Sequence, residues 1–482
     1  MTKILQISME CYPAAKAGGM GDVVGALPKY LNRLGFDTAV LIPKHRTPWL
    51  DTHPTHVVWE GSVRVHHGLV PYRIEYVEGD PTGFPLFVAN IPGLFDRSGI
   101  YLDPSGRGWH DEVVRHLVFQ QAALQWVQGM AHRPDVLHCH DHHTGLIPFM
   151  VKHCPDYRSL AHIPTVFTIH NGAYHGAFSW ELMYLLPWFD AEARGLLDWN
   201  NAINPLAAAI KCCWAFTTVS PGYLDELRHH SNGLEWLINH EWHKAHGILN
   251  GIDTDVWNPR TDPLIYYNLK GNAVHKYKEE NKLALAQRFR FDPELPVITY
   301  IGRMAREKGA DLLPDLIGRT LGAGLPVSWL VLGSGDHGIE NRLRSMMHHF
   351  HGRFDAALEY NEALAHQLYA GSDFLIMPSR VEPCGLNQMY AARYGTVPIV
   401  RAVGGLRDTV VDYEDQRELP GARGVQFTHF TLDDAAGAVW RALQLYQDQA
   451  RFRKVRTYDM KVDFSWERSA REYGELYRSL LP

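Results

Sequence analysis

Lys16, Gly18, Gly19 and Asp22 stand together in Lys16-Ala17-Gly18-Gly19-Met20-Gly21-Asp22, directly after the apolar run Ile4–Met9. Glycines that end an apolar run and open into a helix are how a parallel sheet offers backbone N–H groups to an anion. Glycine lets a ligand approach the backbone closely, and lysine supplies a compact positive charge. Asp22 can cap the following helix or accept hydrogen bonds from hydroxyls. The loop is not the dinucleotide fingerprint, since G-x-G-x-x-G counted from Gly19 puts Val24 where the last glycine belongs. It reads as a turn for phosphate or sugar, and a plain strand-to-helix turn is the alternative.

A pair of cations and a carboxylate recur further along. The run Val297–Gly302 leads into Arg303-Met304-Ala305-Arg306-Glu307-Lys308-Gly309. A guanidinium and an ammonium converging on one point, here Arg303 and Lys308, suit a diphosphate leaving group. Two solvated surface cations are the plainer reading. The run Phe374–Pro378 leads into Ser379-Arg380-Val381-Glu382-Pro383-Cys384-Gly385-Leu386-Asn387. Pro383 fixes the turn after Glu382, and the N–H groups of Gly385 and Leu386 can receive a phosphate at a helix start. Glu382 is then a carboxylate beside a phosphate site, an acceptor for a sugar hydroxyl or a charge stabiliser. Gly404-Gly405-Leu406-Arg407-Asp408-Thr409 is another glycine turn, which contributes to the site or only shapes it.

The stretch His138-Cys139-His140-Asp141-His142-His143 invites a metal reading. The pattern H-x-H-x-D-H needs Asp at position 142, whereas the Asp is at 141, so no metal is expected there. Sugar recognition by Asp141 and nearby imidazoles is preferred over a merely polar strand end. Thr168-Ile169-His170-Asn171-Gly172 ends another run in the same way, with His170 either at a cleft or structural.

These residues need a scaffold, and the chain alternates strand and helix patterns. Strands are expected at Ile4–Met9, Thr38–Pro43, Leu86–Ile91, Val136–His138, Thr165–His170 and Phe216–Val219. Val23, Leu27, Tyr30, Leu31 and Leu34 recur at helical spacing, and Gly35 ends that helix. Val57–Val88 alternates and turns, as an inserted β-meander. Asn258-Pro259-Arg260-Thr261-Asp262-Pro263 has linker composition. A second series follows at Val297–Gly302, Val327–Gly333, Phe374–Pro378 and Val397–Val400. Such alternation means parallel sheets with helices on both faces, whose ligands sit outside the carboxyl ends of the strands. Every motif above falls at such an end. Phe464–Leu481 has helical spacing at Trp466, Ala470, Tyr473 and Tyr477.

At 482 residues the chain exceeds one ordinary core, so two or three domains are expected. With 46% hydrophobic and 21% charged residues it is an ordinary soluble composition. The net charge of −6 gives no basic footprint for nucleic acid and no draw to an anionic membrane, so neither is expected as a partner. Cys11, Cys139, Cys154, Cys212, Cys213 and Cys384 form no C-x-x-C pair. They fit reduced, packed thiols in a cytoplasmic protein. The first apolar stretch is short and broken by Glu10, so no signal peptide is expected. No run approaches the ~18–20 apolar residues a membrane helix needs.

Taken together and in order, the motifs resemble those of bacterial glycogen synthases and plant starch synthases. They are Lys16-x-Gly18-Gly19, His138-x-His140-Asp141 with Gly145-Leu146, Thr168-Ile169-His170-Asn171, Thr218-Val219-Ser220-Pro221, Leu249-Asn250-Gly251-Ile252-Asp253, Arg303-x4-Lys308-Gly309 and Pro378-Ser379-Arg380-x-Glu382-Pro383-Cys384-Gly385-Leu386. The resemblance runs over nearly the whole chain. It implies an α/β fold of two Rossmann-like domains, the GT-B type of glycosyltransferase, with an inter-domain cleft that closes during reaction. Residues 1–255 would be the N-terminal catalytic domain on the acceptor side, carrying the meander. Residues 256–460 would bind the nucleotide sugar, and 461–482 would be a C-terminal helix packed back on the first domain.

The activity implied is retaining transfer of glucose from an ADP-glucose donor to the non-reducing end of an α-1,4-glucan such as glycogen. Lys16, Gly18 and Gly19 would bind the donor diphosphate, with Asp22 beside them. Arg303 and Lys308 would neutralise the departing ADP. Glu382 would sit by the glucosyl ring, and Cys384, Gly385 and Leu386 at the distal phosphate. Tyr360 would contact adenine. Asp141 and His170 would hold the glucosyl unit, with the His170 carbonyl near the anomeric carbon and Asn250 near the sugar. No second carboxylate suggests itself as a nucleophile, so front-face attack through an ion-pair-like state is the expected mechanism. No cofactor and no metal are expected, because Arg303 and Lys308 do the work Mg²⁺ does elsewhere.

Many retaining transferases of this fold carry a second glutamate eight residues after the first. Here that position is Tyr390, as in glycogen and starch synthases. The chain also departs from the family's usual residues. The loop carries Ala17, Met20 and Gly21 instead of Thr, Leu and Ala, His142 replaces a tryptophan, and Glu307 replaces a glutamine. Three alternatives stay open: a related UDP-glucose transferase, a catalytically silent glucan-binding protein, and a metallohydrolase.

Overall fold

The computed structural model describes residues 1–65, 68–415, 417 and 421–481. The chain divides into two compact units. One comprises Met1–Val219, Leu224–Asn250 and the segment from Trp466 onward, and the other Ser220–Tyr223 with Gly251–Ser465.

In the first unit, in chain order, lie β1 (Lys3–Ile7), β2 (Asp37–Pro43), β3 (Thr55–Val65), β4 (Gly68–Val77), β5 (Leu86–Asn90), β6 (Val136–His140) and β7 (Thr165–Ile169). A small hairpin of β8 (Asp198–Trp199) and β9 (Ala202–Ile203) follows, then β10 (Ala215–Thr218) and β11 (Ala245–Gly247). The nine-stranded sheet has the order β11-β10-β7-β6-β1-β2-β5-β4-β3. Its pairs are parallel except where β4 meets β5 and β3. Strands β6 and β7 are buried at every position, as apolar strands covered on both faces must be. The expected meander is the long β3–β4 hairpin plus β5, added to the sheet edge. His66 and His67 of that stretch lie outside the described residues. The helix Gly19–Arg33 buries Val23, Leu27, Tyr30 and Leu31. Those four share one cluster with Trp466, Ala470, Tyr473 and Tyr477 of the helix Trp466–Leu480.

The second unit holds β12 (Val297–Ile301), β13 (Ser328–Leu332), β14 (Phe354–Ala357), β15 (Phe374–Met377), β16 (Val397–Arg401), β17 (Val410–Asp412) and β18 (Ala422–Phe427). They form a wholly parallel sheet in the order β14-β13-β12-β15-β16-β18-β17. Strand order turns outward in both directions from one junction in each sheet, between β1 and β6 and between β12 and β15. In open α/β sheets ligands sit at such switch points, beyond the carboxyl ends of the strands.

Two expectations need correction. The strand expected at Val136–His138 continues to His140, so both histidines are ladder residues, two apart on one face, their rings 4.2 Å apart. The stretch of linker composition is not a free linker. Asp262 within it is buried, accepting from Tyr394 Oη at 2.5 Å and bonded to His366 Nδ1 at 2.6 Å. Among the described residues no helix is long and apolar enough to cross a membrane.

Candidate active site

In the first unit the loop after β1 returns to the sheet through Glu10, a carboxylate only 2% exposed. Glu10 Oε2 accepts from the amides of Ala17 (2.5 Å) and Gly18 (2.8 Å), and Oε1 accepts from Tyr101 Oη (2.6 Å). Those two amides are therefore satisfied within the protein, so the turn's remaining offer to an anion is its open side. A Cβ built on Gly19 would meet no atom within 4 Å, so space and not packing surrounds that glycine. Asp22 is not the helix cap. Gly18 holds the cap position, and Asp22, inside the first turn, accepts from Lys16 Nζ at 2.7 Å. The ammonium is thereby drawn over the loop, where it is about one-third exposed.

At the end of β6, Asp141 sits at φ +55°, in the left-handed region where a non-glycine residue stores strain. Its Oδ1 accepts from the amides of His170 (2.7 Å) and Asn171 (3.4 Å) at the end of β7. Burial pushes the Asp141 carboxyl up to about 7, opposed by those two amides and reinforced by the Glu10 charge. His170 Nε2 meets His140 Nδ1 at 2.9 Å, and His140 Nε2 meets Gln6 Oε1 at 3.2 Å. With the Gln6 amide oxygen assigned as the acceptor, His140 is assigned its proton on Nε2 and His170 then donates from Nε2. His170 Nδ1 is left as a lone-pair acceptor, suited to a hydroxyl. Burial lowers the His170 imidazole to about 3, so it is neutral at physiological pH. Asn250, in the same unit, is buried and its Oδ1 has no hydrogen-bond partner. A buried acceptor without a partner is costly, and a ligand hydroxyl would satisfy it.

In the second unit, Lys308 Nζ and Glu382 Oε1 lie 2.6 Å apart, joining the loop after β12 to the loop after β15. Glu382 is 5% exposed, and its other oxygen accepts from Ser379 Oγ at 2.9 Å. Arg303 is two-thirds exposed and ion-paired to Glu307, one helical turn on. The loop around them is clamped from behind. Arg380 makes a bidentate pair with Asp311 (2.6 and 2.8 Å), and the Arg380 amide donates to Glu307 O. Gly385 adopts φ +72°, which a side chain would strain. Among the described residues the amides of Gly385 and Leu386 have no acceptor. Cys384 is buried, and the amide of Gly405 donates to Glu382 O at 3.1 Å. A Cβ on Gly405 would come to 2.1 Å from the Cys384 carbonyl. The Gly404-Gly405 turn thus shapes the Glu382 loop by close backbone packing. Tyr360, after the edge strand β14, is 82% exposed and free to stack on a ring.

The structure thus gathers Lys16, Gly18, Gly19 and Asp22 in one loop, joins Asp141 to His170, and joins Lys308 to Glu382 with Arg303 close in sequence. Among the described residues no hydrogen bond joins Tyr360 or Asn250 to these groupings. Sequence reasoning passed over Glu10, Tyr101, Gln6 and Ser379. Glu10 left a signal, a charge breaking an apolar run, and Ser379 stood inside the Glu382 motif with no role assigned. Among the described residues, one grouping of histidine, cysteine and carboxylate side chains has metal-ligand spacing: Glu112, His116 and His142.

Two Rossmann-like units with cations and carboxylates at the strand ends of each switch point define a glycosyltransferase of the GT-B type. Comparison narrows the class. A family model described as the starch synthase catalytic domain matches residues 3–240, and one described as glycosyl transferases group 1 matches 281–455. A glycogen synthase of Flavobacterium johnsoniae is 43% identical over 480 residues, covering 99% of each chain. One of Marinobacter nauticus is 37% identical, covering 100% of this chain and 98% of its own. The catalytic domain of starch synthase IV from Arabidopsis thaliana, solved with ADP and acarbose, superposes with a TM-score of 0.87 at 31% identity, covering 99% of each chain. The chain belongs to the glycogen synthase and starch synthase family, and it is a glucosyltransferase.

Proposed function

We propose that the protein transfers glucose from ADP-glucose to the non-reducing 4-hydroxyl of an α-1,4-glucan such as glycogen, with retention of configuration. The observation that carries this reading is the buried Glu382 held between Lys308 and Ser379 at the β12–β15 switch point. In this reading Arg303 and Lys308 take up the charge that develops on the departing diphosphate, and Glu382 faces the glucosyl ring as positive charge builds there. Lys16, with the Gly18-Gly19 turn and Asp22, binds the diphosphate. The free amides of Gly385 and Leu386, beside Cys384, take the distal phosphate, and Tyr360 stacks on adenine. Asp141, the lone pair of His170 and Asn250 take sugar hydroxyls, and the His170 carbonyl lies by the anomeric carbon. The bond from that carbon to the phosphate oxygen breaks first. The acceptor hydroxyl attacks the same face and its proton passes to the leaving phosphate. Residues 1–255 serve the acceptor side, 256–460 the nucleotide sugar, and 461–482 complete the first domain. A cytoplasmic site of action suits six buried free thiols.

The test is glucosyl transfer to glycogen with ADP-glucose and UDP-glucose side by side, no divalent salt added. Faster transfer from ADP-glucose supports the reading. Transfer from UDP-glucose alone keeps the chemistry and replaces the donor. Glycogen binding without transfer from either donor overturns the proposal in favour of a silent glucan-binding protein.

A further inference from the structure

We propose that Glu112, His116 and His142 form a divalent metal site, zinc first, within the first unit. Glu112 and His116 are four residues apart near the start of the helix Glu112–Gly129, so both project from one face. His142 reaches them from the short turn His142–Thr144 that follows β6. One ligand atom from each lies within 4.8 Å of the others. Two imidazoles and one carboxylate are a zinc donor set, with a fourth position left for water.

The independent observation is the state of His142. Its ring is about nine-tenths buried, yet Nδ1 has no hydrogen-bond partner. A buried ring nitrogen without a partner is costly, and a metal ion would satisfy it. A Cβ on Gly176 would come to 2.3 Å from the ring, so the imidazole is pinned in place. The His143 ring lies 3.8 Å from that of His142, tilted by 33°, and 4.8 Å edge-on to His116, so it lines the same wall. Arg115 is the opposing charge, but its guanidinium is spent on the carbonyls of Leu94 and Ile100 and on the rings of Phe95 and Trp109.

None of Glu112, His116 and His142 belongs to the residues assigned above to donor or acceptor, so the site is separate from the transfer reaction. An ion there ties the turn that follows Asp141 to the helix Glu112–Gly129. It acts as a clamp on the backbone and needs no role in bond making.

The experiment titrates the full-length protein, stripped with chelator, first with Co²⁺, reading its visible d–d bands, and then with Zn²⁺ against a chromophoric chelator. One equivalent of each is expected to bind. Glu112→Gln, at an exposed position, and His142→Trp, whose indole cannot ligate, should each weaken binding by more than the roughly 10–100-fold that loss of an outer partner costs. If His142→Trp does not fold, Glu112→Gln alone decides. Absence of a stoichiometric equivalent overturns the proposal. So does binding that survives Glu112→Gln undiminished, which assigns the uptake to others among the 28 histidines.

Discussion

At the scale of single residues, the Lys308–Glu382 pair separates catalysis from binding. Glu382→Ala removes a charge whose partner develops only in the transition state. It should lower kcat by about 10²–10³-fold while the donor KM moves little. A change confined to KM would contradict the role. Glu307 is the informative departure, because it occupies Arg303 in a pair exposed on both sides. Such pairs hold about 0.2–1 kcal/mol. Glu307→Gln should therefore free Arg303 and lower the donor KM about two- to five-fold, read from initial rates. Lys16→Ala should weaken donor use, and Lys16→Arg should restore it only in part, because the ammonium that Asp22 draws over the loop is compact and the guanidinium is a planar fork. Unchanged kinetics in Lys16→Ala would remove the residue from the site. The charged residues of this set were legible because charge at a strand end is conspicuous in sequence. Glu10 was not, because a carboxylate consumed by the amides of Ala17 and Gly18 acts through backbone atoms that no residue type betrays.

At the scale of elements, the strands that sequence marks best are those buried throughout, such as Thr165–Ile169, where every position is apolar or β-branched. Phe354–Ala357 escaped because only Phe354 is fully buried and an edge strand of four residues has no period to read. Ala245–Gly247 and Val410–Asp412 escaped for their shortness. His140 misled in the other direction. Polar residues mark a strand end in most contexts, but here the imidazole finds partners inside the core, His170 Nε2 at 2.9 Å and Gln6 Oε1 at 3.2 Å. The Gly404-Gly405 turn shows what element packing asks of the site. Gly405→Ala must displace the Cys384 carbonyl, which is backbone and cannot rotate away. Overpacking of this kind costs about 1–3 kcal/mol. Because Gly405 N also holds the Glu382 carbonyl, the expected outcome is a lowered Tm together with slower transfer. A lowered Tm with kcat intact would show that the turn supports the fold and not Glu382.

At the scale of the whole molecule, the two units hold their titratable groups differently, and acid should separate them. The first unit buries imidazoles. Burial lowers His45 to about 4, against a hydrogen bond to Met9 O, and lowers His138 and His170 to about 3. Folded, these rings stay neutral. Unfolded, they take up protons below about pH 6.5. Their contribution to stability is therefore complete above that value and is lost progressively as pH falls toward the folded-state values, each ring at about 1 kcal/mol per pH unit. In the second unit the buried charge is a carboxylate. Burial works against the Asp373 anion, but Lys282 and Arg456 hold it below its ordinary range, so its loss begins only at more acidic pH. Raised carboxyls act in the opposite sense: Asp459 here and Asp141 in the first unit take up their protons in the fold first, so Asp141 offsets about one of the three imidazoles. Chains of this length with two compact units need not unfold in one step. Calorimetry at about pH 7.5 and about pH 5.5 should thus show one transition moving down while the other holds. Hydrogen exchange should assign the mobile one to peptides of β6 and β7. Equal movement of both transitions, or exchange that quickens first in β13 and β15, would show that the buried histidines do not set the acid limit of the fold.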